Sequence, residues 1–369
     1  MKKALVHDWY YVSGGAEKVV NSFNNIWDDF DHFALVDYLD NKDRSFILNG
    51  KKAKTSFIQN LFTAKSNHRK FLQFFPYAIE QFNLSEYDLV LSSSASVAKG
   101  ALTNQNQLHI CYCHSPMRYA WDLYHEYLNE SGFKGLKAIY AKYVLHKMRN
   151  WDVNSSNRVD YFIANSNYIA KRIKKIYNRD SVVIYPPVDV SNFTLETNKE
   201  GYYFTASRMV GYKKIDLIIE AFNNLPNKKL IIAGNGPEYD KLTKLANSNI
   251  EFLGFIDSKE LKSYMQKAKS FVFAAEEDFG IIPVEAQACG TPVIAYNKGG
   301  TKETIIHKKT GYLFNKQCPV SIKEAVIAFE ELKYNPEEIR KNALKFSKDR
   351  FEKEIKSFVE SKYKAFKEM

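Results

Sequence analysis

An α/β chain of two doubly wound domains is predicted by three features of the sequence. Short apolar runs alternate with helical patterns in both halves, which implies parallel sheets covered by helices on both faces. The 369 residues are many for one core and comfortable for two. A proline pair, Pro186-Pro187, closes the run Val182 to Asp189 and stops regular structure, placing a boundary there. The domains are then 1–188 and 189–349, with about 350–369 as a terminal helix. A hydrophobic content of 45% and a charged content of 26% suit a globular protein.

The elements follow in order. Ala4-Leu5-Val6 reads as the first strand and Ala16 to Ile26 as a helix. Strands follow at Phe33 to Val36, Tyr87 to Ser92, Leu108 to Cys113 and Tyr161 to Ser166, the last feeding a helix from about Tyr168 to Tyr177. The second half repeats the pattern. Tyr202 to Ala206 is a strand and Ile215 to Phe222 a helix. Lys229 to Gly234 and Ile250 to Leu253 are strands, with a helix from about Ser258 to Ala268. Ser270 to Ala275 reads as a buried strand and Ile282 to Ala288 as a short helix. Gly290 is placed to cap that helix, and Thr291-Pro292 opens the next strand. The last thirty or so residues are charged and helical, with Phe346, Phe351, Ile355, Phe358, Tyr363 and Phe366 as apolar members.

No apolar run approaches the ~20 residues of a membrane span. The N-terminal run turns polar too soon for a signal peptide. The expectation is a cytoplasmic protein, or one on the cytoplasmic face of a membrane. Cys111, Cys113, Cys289 and Cys318 make no disulfide framework, and Cys111-Tyr112-Cys113-His114 lacks the spacing of a zinc hairpin. The net charge of +11 suits nucleic acid, anionic lipid or an acidic substrate. Basic and aromatic residues interleave in Lys51 to Phe62 and in His68 to Phe75. Phe57, Ile58, Leu61 and Phe62 sit at helical spacing beside lysines. That pattern reads either as an amphipathic helix in a lipid interface or as a core-facing helix with a solvated polar face.

Four segments at strand ends carry chemistry. Ser13-Gly14-Gly15-Ala16 precedes a helix, where glycines admit a close ligand and free N–H groups suit phosphate. His114 follows the strand ending at Cys113, the end where parallel sheets bind ligands. Arg208 and Lys213 flank a strand-to-helix turn and are suited to a diphosphate, Arg as a planar fork and Lys as a point charge. Glu277 to Glu285 places two carboxylates eight positions apart around Phe279-Gly280 and leads into a helix. A helix start favours phosphate, and carboxylates accept hydrogen bonds from sugar hydroxyls. Together these suggest a nucleotide sugar. Gly234-Asn235-Gly236-Pro237 is a further glycine turn at a strand end.

The phrase from Glu277 through Ile294, with Gly299-Gly300 and Glu303 after it, resembles the Glu-x7-Glu signature of the retaining glycosyltransferases of family 4. The resemblance covers nearly the whole chain, with five motifs in the family's order, and His114 to Tyr124 is most similar to bacterial O-antigen mannosyltransferases. It implies a GT-B fold: two Rossmann-like domains with parallel sheets facing a central cleft, and a C-terminal helix crossing back to the first domain. Glu277 is then expected near the donor sugar, Glu285 on the ribose, and the backbone of Phe279, Gly280 and Ile281 at the diphosphate. Gly14 and Gly15 would face the donor phosphates, His114 the sugar, and Gly234, Asn235 and Gly236 the base. Arg208 and Lys213 would stabilise the leaving diphosphate, and Arg118, Tyr119, Trp121 and Asp122 would shape the acceptor site. Lys214 stands where many relatives have Gly. The implied reaction moves a sugar, with GDP-mannose favoured, to a lipid-linked or lipopolysaccharide acceptor, without a metal and with peripheral contact to an anionic membrane. A UDP-sugar donor is the alternative within the fold, and a non-catalytic basic lipid- or nucleic-acid-binding protein the alternative outside it.

Overall fold

Every strand pairing in the computed structural model, which describes residues 1–368, is parallel. The chain divides into two compact units. One holds residues 1–187 with the segment from Phe351 onward, and the other residues 188–350. The first sheet comprises β1 (Lys3–His7), β2 (Asp31–Ala34), β3 (Lys54–Thr55), β4 (Leu89–Ser94), β5 (Leu108–Cys113), β6 (Tyr161–Ala164) and β7 (Ser181–Val183), in the order β3-β2-β1-β4-β5-β6-β7. The second comprises β8 (Tyr202–Ala206), β9 (Lys229–Ala233), β10 (Ile250–Gly254), β11 (Ser270–Phe273), β12 (Val293–Tyr296) and β13 (Gly311–Phe314), in the order β10-β9-β8-β11-β12-β13.

The strands read as near-continuous apolar runs because both faces are buried. Successive side chains point to opposite faces. Ala4, Val6 and Val90 enter one cluster of the first unit, while Leu5, Leu89 and Leu91 enter another. In the second unit Tyr203, Leu230, Ile232 and Val272 face one side, and Phe204, Ile231, Phe271 and Phe273 the other. The terminal helix Lys348–Lys367 buries Phe351, Ile355 and Val359 in the first unit. Phe351 lies between Phe23 and Tyr112, with ring centroids 5.9 and 5.7 Å away.

The segment Lys51 to Phe62 departs from the amphipathic helix that its spacing suggests. Lys54–Thr55 pairs with β2 as an edge strand, and Phe57–Asn60 is a single 3₁₀ turn capped by Ser56. Leu61 is already extended (φ −74°, ψ 139°), which ends the turn. Ile58 is fully buried, whereas Phe62 is 92% exposed. A single turn cannot present one apolar stripe. The edge pairing of β3 and the capping of Ser56 prevail over the helical spacing.

Candidate active site

In the second unit, glycines bring the loops after β8 and β9 together. Ser207 N–H donates to the Ala233 carbonyl (3.1 Å) and Met209 N–H to that of Asn235 (3.0 Å), while Glu238 N–H returns to Met209 (3.2 Å). A Cβ at Gly234 would lie 1.9 Å from the Ser207 oxygen, and one at Gly236 2.4 Å from that of Met209. Gly234 also has φ +125°, so a side chain there is strained as well as obstructed. Asn235 Oδ1 accepts from Gly236 N–H at 2.7 Å.

Arg208 is exposed on the first of these loops, and its guanidinium has no protein partner among the described residues. The 3₁₀ turn Gly211–Lys213 and the left-handed Lys214 (φ 56°) then start the helix Ile215–Asn223. Lys213 Nζ forms an ion pair with Glu277 Oε1. The departure from Gly at position 214 therefore occupies the one φ in this turn at which glycine is the easier residue.

The loop carrying Glu277 rests on Gly299-Gly300. Gly300 N–H donates to the Glu277 carbonyl at 2.8 Å. Gly299 has φ +72°, and its Cβ would lie 2.3 Å from that same oxygen; a Cβ at Gly300 would lie 2.2 Å from the Phe279 Cα. Phe279 packs edge-on against Phe346 at 5.5 Å. Gly280 (φ 83°) is the N-cap of the helix Ile281–Ala288 and has no side chain with which to cap it. The first-turn N–H groups are thus left for a ligand or solvent. Pro283 contributes none. Glu285, on the same helix, is 5% exposed.

In the first unit a polar chain, buried at His7 and Ser93 and partly buried at its ends, links Gly14 to His114. Gly14 N–H donates to Glu17 Oε2 at 3.0 Å, within the cap of the helix Gly15–Ile26. Glu17 Oε1 lies 3.5 Å from His7 Nε2. His7 Nδ1 lies 3.1 Å from both the carbonyl and the hydroxyl of Ser93, and that hydroxyl lies 2.8 Å from His114 Nε2. Burial by itself lowers the pKa of His7. The hydrogen bond and charge of Glu17, with Asp8 and the Ser93 carbonyl, more than offset this and raise it. Burial, with His7 nearby, pushes His114 down to about 3. Asp8 holds the turn after β4 by accepting four backbone N–H groups, from Ala95 (2.6 Å), Ser96 (3.0 Å), Val97 (2.7 Å) and Ala98 (2.7 Å).

His7, Asp8, Glu17 and Ser93 were not singled out from the sequence. The criterion that selected His114, a polar residue at the end of a parallel strand, applies equally to His7 at the end of β1, to Asp8 after it and to Ser93 in β4. Further along, Trp121 Nε1 donates to the buried Asp152 (2.8 Å), Asp122 pairs with Arg172, and Tyr119 shares a hydrogen bond with Ser96 (2.7 Å). These three residues are anchored to the first unit's own framework.

Two parallel-sheet units with glycine turns and a helix start at their strand ends define a GT-B fold. Residues 36–192 match Glycosyltransferase Family 4, and residues 190–346 match Glycosyl transferases group 1. The two matches follow one another along the chain and together take in residues 36–346. It is 33% identical over 201 residues to an uncharacterized glycosyltransferase of Methanocaldococcus jannaschii, covering 51% of this chain and 55% of that one. It is 26% identical over 284 residues to the mouse alpha-1,3/1,6-mannosyltransferase ALG2, covering 66% and 65%. A GDP-mannose-dependent monoacylated alpha-(1-6)-phosphatidylinositol monomannoside mannosyltransferase of Corynebacterium glutamicum is 31% identical over 178 residues, covering 40% and 47%. The chain thus spans about half to two thirds of the length of these curated relatives. Among solved structures, the Anabaena protein HepE in complex with UDP superposes with a TM-score of 0.71 over 98% of this chain and all of that one, at 18% identity.

Proposed function

We propose that this protein is a retaining glycosyltransferase that moves mannose from GDP-mannose to a hydroxyl of a lipid-linked glycan. The observation that carries the reading is the Lys213–Glu277 ion pair, in the unit that also presents the exposed Arg208 and the uncapped helix start at Gly280. The relatives named as mannosyltransferases favour mannose. The UDP bound to HepE makes a UDP-sugar donor the second reading.

In this mechanism the bond between the sugar C1 and the diphosphate breaks, and its electron pair stays on the phosphate oxygen. The acceptor oxygen attacks C1 on the same face, and its proton passes to the departing diphosphate. Arg208 and Lys213 neutralise the charge that develops there, as fixed electrostatic stabilisers. The N–H groups at Gly280 and Ile281 hold the phosphates, with Phe279 closing the turn. Glu277 accepts hydrogen bonds from the sugar hydroxyls and Glu285 from the ribose. Gly234, Asn235 and Gly236 approach the base. Gly14 and Gly15 lie by the phosphates, and His114 donates to the sugar. The chemistry assigned to these residues calls on no metal cofactor.

Contact with an anionic membrane belongs to the same proposal, on a surface that keeps the end of the His68 to Phe75 segment and replaces the Phe57 to Phe62 stretch by another helix. No helix among the described residues is long and apolar enough to cross a membrane. The helix Gly135–Ser155, however, exposes Leu136 (84%), Ile139 (65%), Tyr140 and Tyr143 at helical spacing. Tyr140 is hydrogen-bonded to Gln73, beside the exposed Phe74 and Tyr77. Neither residues 44–79 nor residues 131–151 contain an Asp or Glu, and both are rich in lysine. An apolar face set in uncompensated positive charge suits anionic lipid.

Calorimetry with GDP, UDP, GDP-mannose and UDP-sugars tests the reading, with Glu285→Ala as control. Selective GDP binding that the variant loses supports it. Preference for UDP moves the donor to a UDP-sugar, and no binding to any of them returns the basic binding protein to first place.

A further inference from the structure

We propose that His7 and Ser93 are positioning residues that fix the ring tautomer of His114, so that its Nδ1–H is the donor offered to the sugar. The inference rests on the reading of His114 as a sugar-contacting group.

One atom in this chain has no choice of role. The Ser93 carbonyl oxygen can only accept, and it lies 3.1 Å from His7 Nδ1, so that nitrogen carries a hydrogen. Glu17 faces the other nitrogen of His7 at 3.5 Å and is itself oriented by Gly14 N–H. That carboxylate can also only accept, so the two acceptors together call for the charged ring, the form its raised pKa favours, and charged His7 donates towards Ser93. The Ser93 hydroxyl oxygen, also 3.1 Å from His7 Nδ1, receives part of that donation. Its own hydrogen is then directed at His114 Nε2, 2.8 Å away.

A neutral imidazole that accepts at Nε2 carries its hydrogen on Nδ1. Burial keeps His114 neutral, which makes acceptance at Nε2 available. The backbone that carries the ring is held on both sides. His114 N–H donates to Ser94 (2.8 Å), and Asn165 Nδ2 donates to the His114 carbonyl (2.9 Å). The Tyr112 ring packs against it at 5.2 Å. The other groups facing His7 do not compete for the Ser93 hydroxyl. Asp8 is occupied by four N–H groups, and Tyr10 meets His7 ring to ring at 4.8 Å.

The relay also explains why two motifs far apart in sequence share one hydrogen-bonded chain. Glu17 accepts from Gly14, the predicted phosphate-side glycine, and orients His7, which through Ser93 sets the ring at the predicted sugar-side histidine. A displacement of either end is transmitted by hydrogen bonds that have only one consistent direction.

Nitrogen-15 NMR of the histidine rings in the full chain reads the tautomer directly, with His114→Gln identifying the signal. The expected wild-type state at neutral pH has the hydrogen on Nδ1. Ser93→Ala should move it to Nε2 and lower kcat by up to ~100-fold, the lower end of the range for outright loss of one aimed donor. The Kd for nucleoside diphosphate should stay within twofold. Ser93→Thr, which keeps the hydroxyl, should restore the Nδ1–H tautomer and most of kcat. Wild-type His114 protonated on Nε2 overturns the proposal even if no variant folds. A tautomer and kcat indifferent to Ser93→Ala overturn it too. Absence of turnover with every nucleotide sugar overturns the glycosyltransferase reading instead, and leaves the tautomer to be judged by NMR alone.

Discussion

The ammonium of Lys213 is paired with the carboxylate of Glu277, 64 residues further along the chain. The pair joins the loop after β8 to the loop after β11, strands that are neighbours in the sheet. Each side chain is mostly shielded, at 15% and 20% exposure. In the proposed mechanism the two have different ligands, Lys213 the diphosphate and Glu277 the sugar. Binding would therefore exchange one internal ion pair for a contact of Lys213 with the anionic diphosphate and hydrogen bonds from sugar hydroxyls to Glu277.

Lys213→Ala should weaken nucleoside diphosphate binding by roughly 1.5–3 kcal/mol, the range for hydrogen bonds to charged groups. Glu277→Gln should leave diphosphate affinity equal or slightly tighter, since it releases Lys213, while lowering kcat. Calorimetry and steady-state kinetics on both variants separate the two roles. An equal loss of affinity in both would mean that the pair acts only as a brace.

Gly299→Ala and Gly300→Ala should each destabilise the second unit by roughly 1–3 kcal/mol. The reasons differ. Gly299 combines φ +72° with an obstructing Glu277 oxygen, whereas Gly300 has an ordinary φ of −67° and is obstructed by Phe279 alone. Thermal denaturation measures both. Diphosphate affinity should fall as well, because the displaced loop is the one that carries Glu277 and Gly280.

Stability should fall steeply as pH drops from about 6.5 towards 4. Burial pushes His32, His68 and His109 each down to about 4, so the unfolded chain binds protons that the folded one refuses. Each such group costs up to about 1.4 kcal/mol per pH unit in that window. His7 acts in the opposite sense. Its raised pKa adds stability that is complete below its ordinary value and is lost as pH rises through the folded one. Neither ring nitrogen of His32 has a hydrogen-bond partner. His32→Leu should therefore flatten the acid limb of a urea-midpoint profile at little cost near pH 8; an unchanged acid limb would remove His32 as a cause.

Replacing Leu136, Ile139 and Tyr143 with serine should cut binding to phosphatidylserine-containing vesicles at least tenfold and leave nucleotide binding unchanged. The same change at Phe57 and Ile58 should chiefly destabilise the first unit, since Ile58 is core. Vesicle co-sedimentation together with a melting curve distinguishes the cases. Self-association lost in the triple variant, without any vesicle binding by the wild type, would assign the face to a second copy of the chain.

The fold was largely legible because parallel strands buried on both faces announce themselves as apolar runs. Ser270 to Ala275 and Leu108 to Cys113 are examples, lying within two residues of β11 and on β5. The helix Gly135–Ser155 was not legible, since only four of its residues are buried and its apolar positions run around the surface. The turn at Phe57 misled because spacing is a local signal and the pairing of Lys54–Thr55 with β2 is not. In the site, Lys213 and Glu277 were each visible beside a turn. Their pairing was invisible, as it depends on β8 and β11 being neighbours. Ser93 was hidden among Ser92, Ser93 and Ser94, where only the strand's facing direction decides which hydroxyl meets which histidine: Ser92 meets His109, and Ser93 meets His7 and His114.

The terminal helix has a consequence for how this protein is made. Phe351, Ile355 and Val359 complete a core whose other members were synthesised first. During translation the first unit must wait, with that apolar surface uncovered, until the whole of residues 188–350 has left the ribosome. The second unit has no such debt to later sequence and can close as it emerges. The first unit is then completed last although it is synthesised first, and the nascent N-terminal half keeps that apolar surface uncovered the longest.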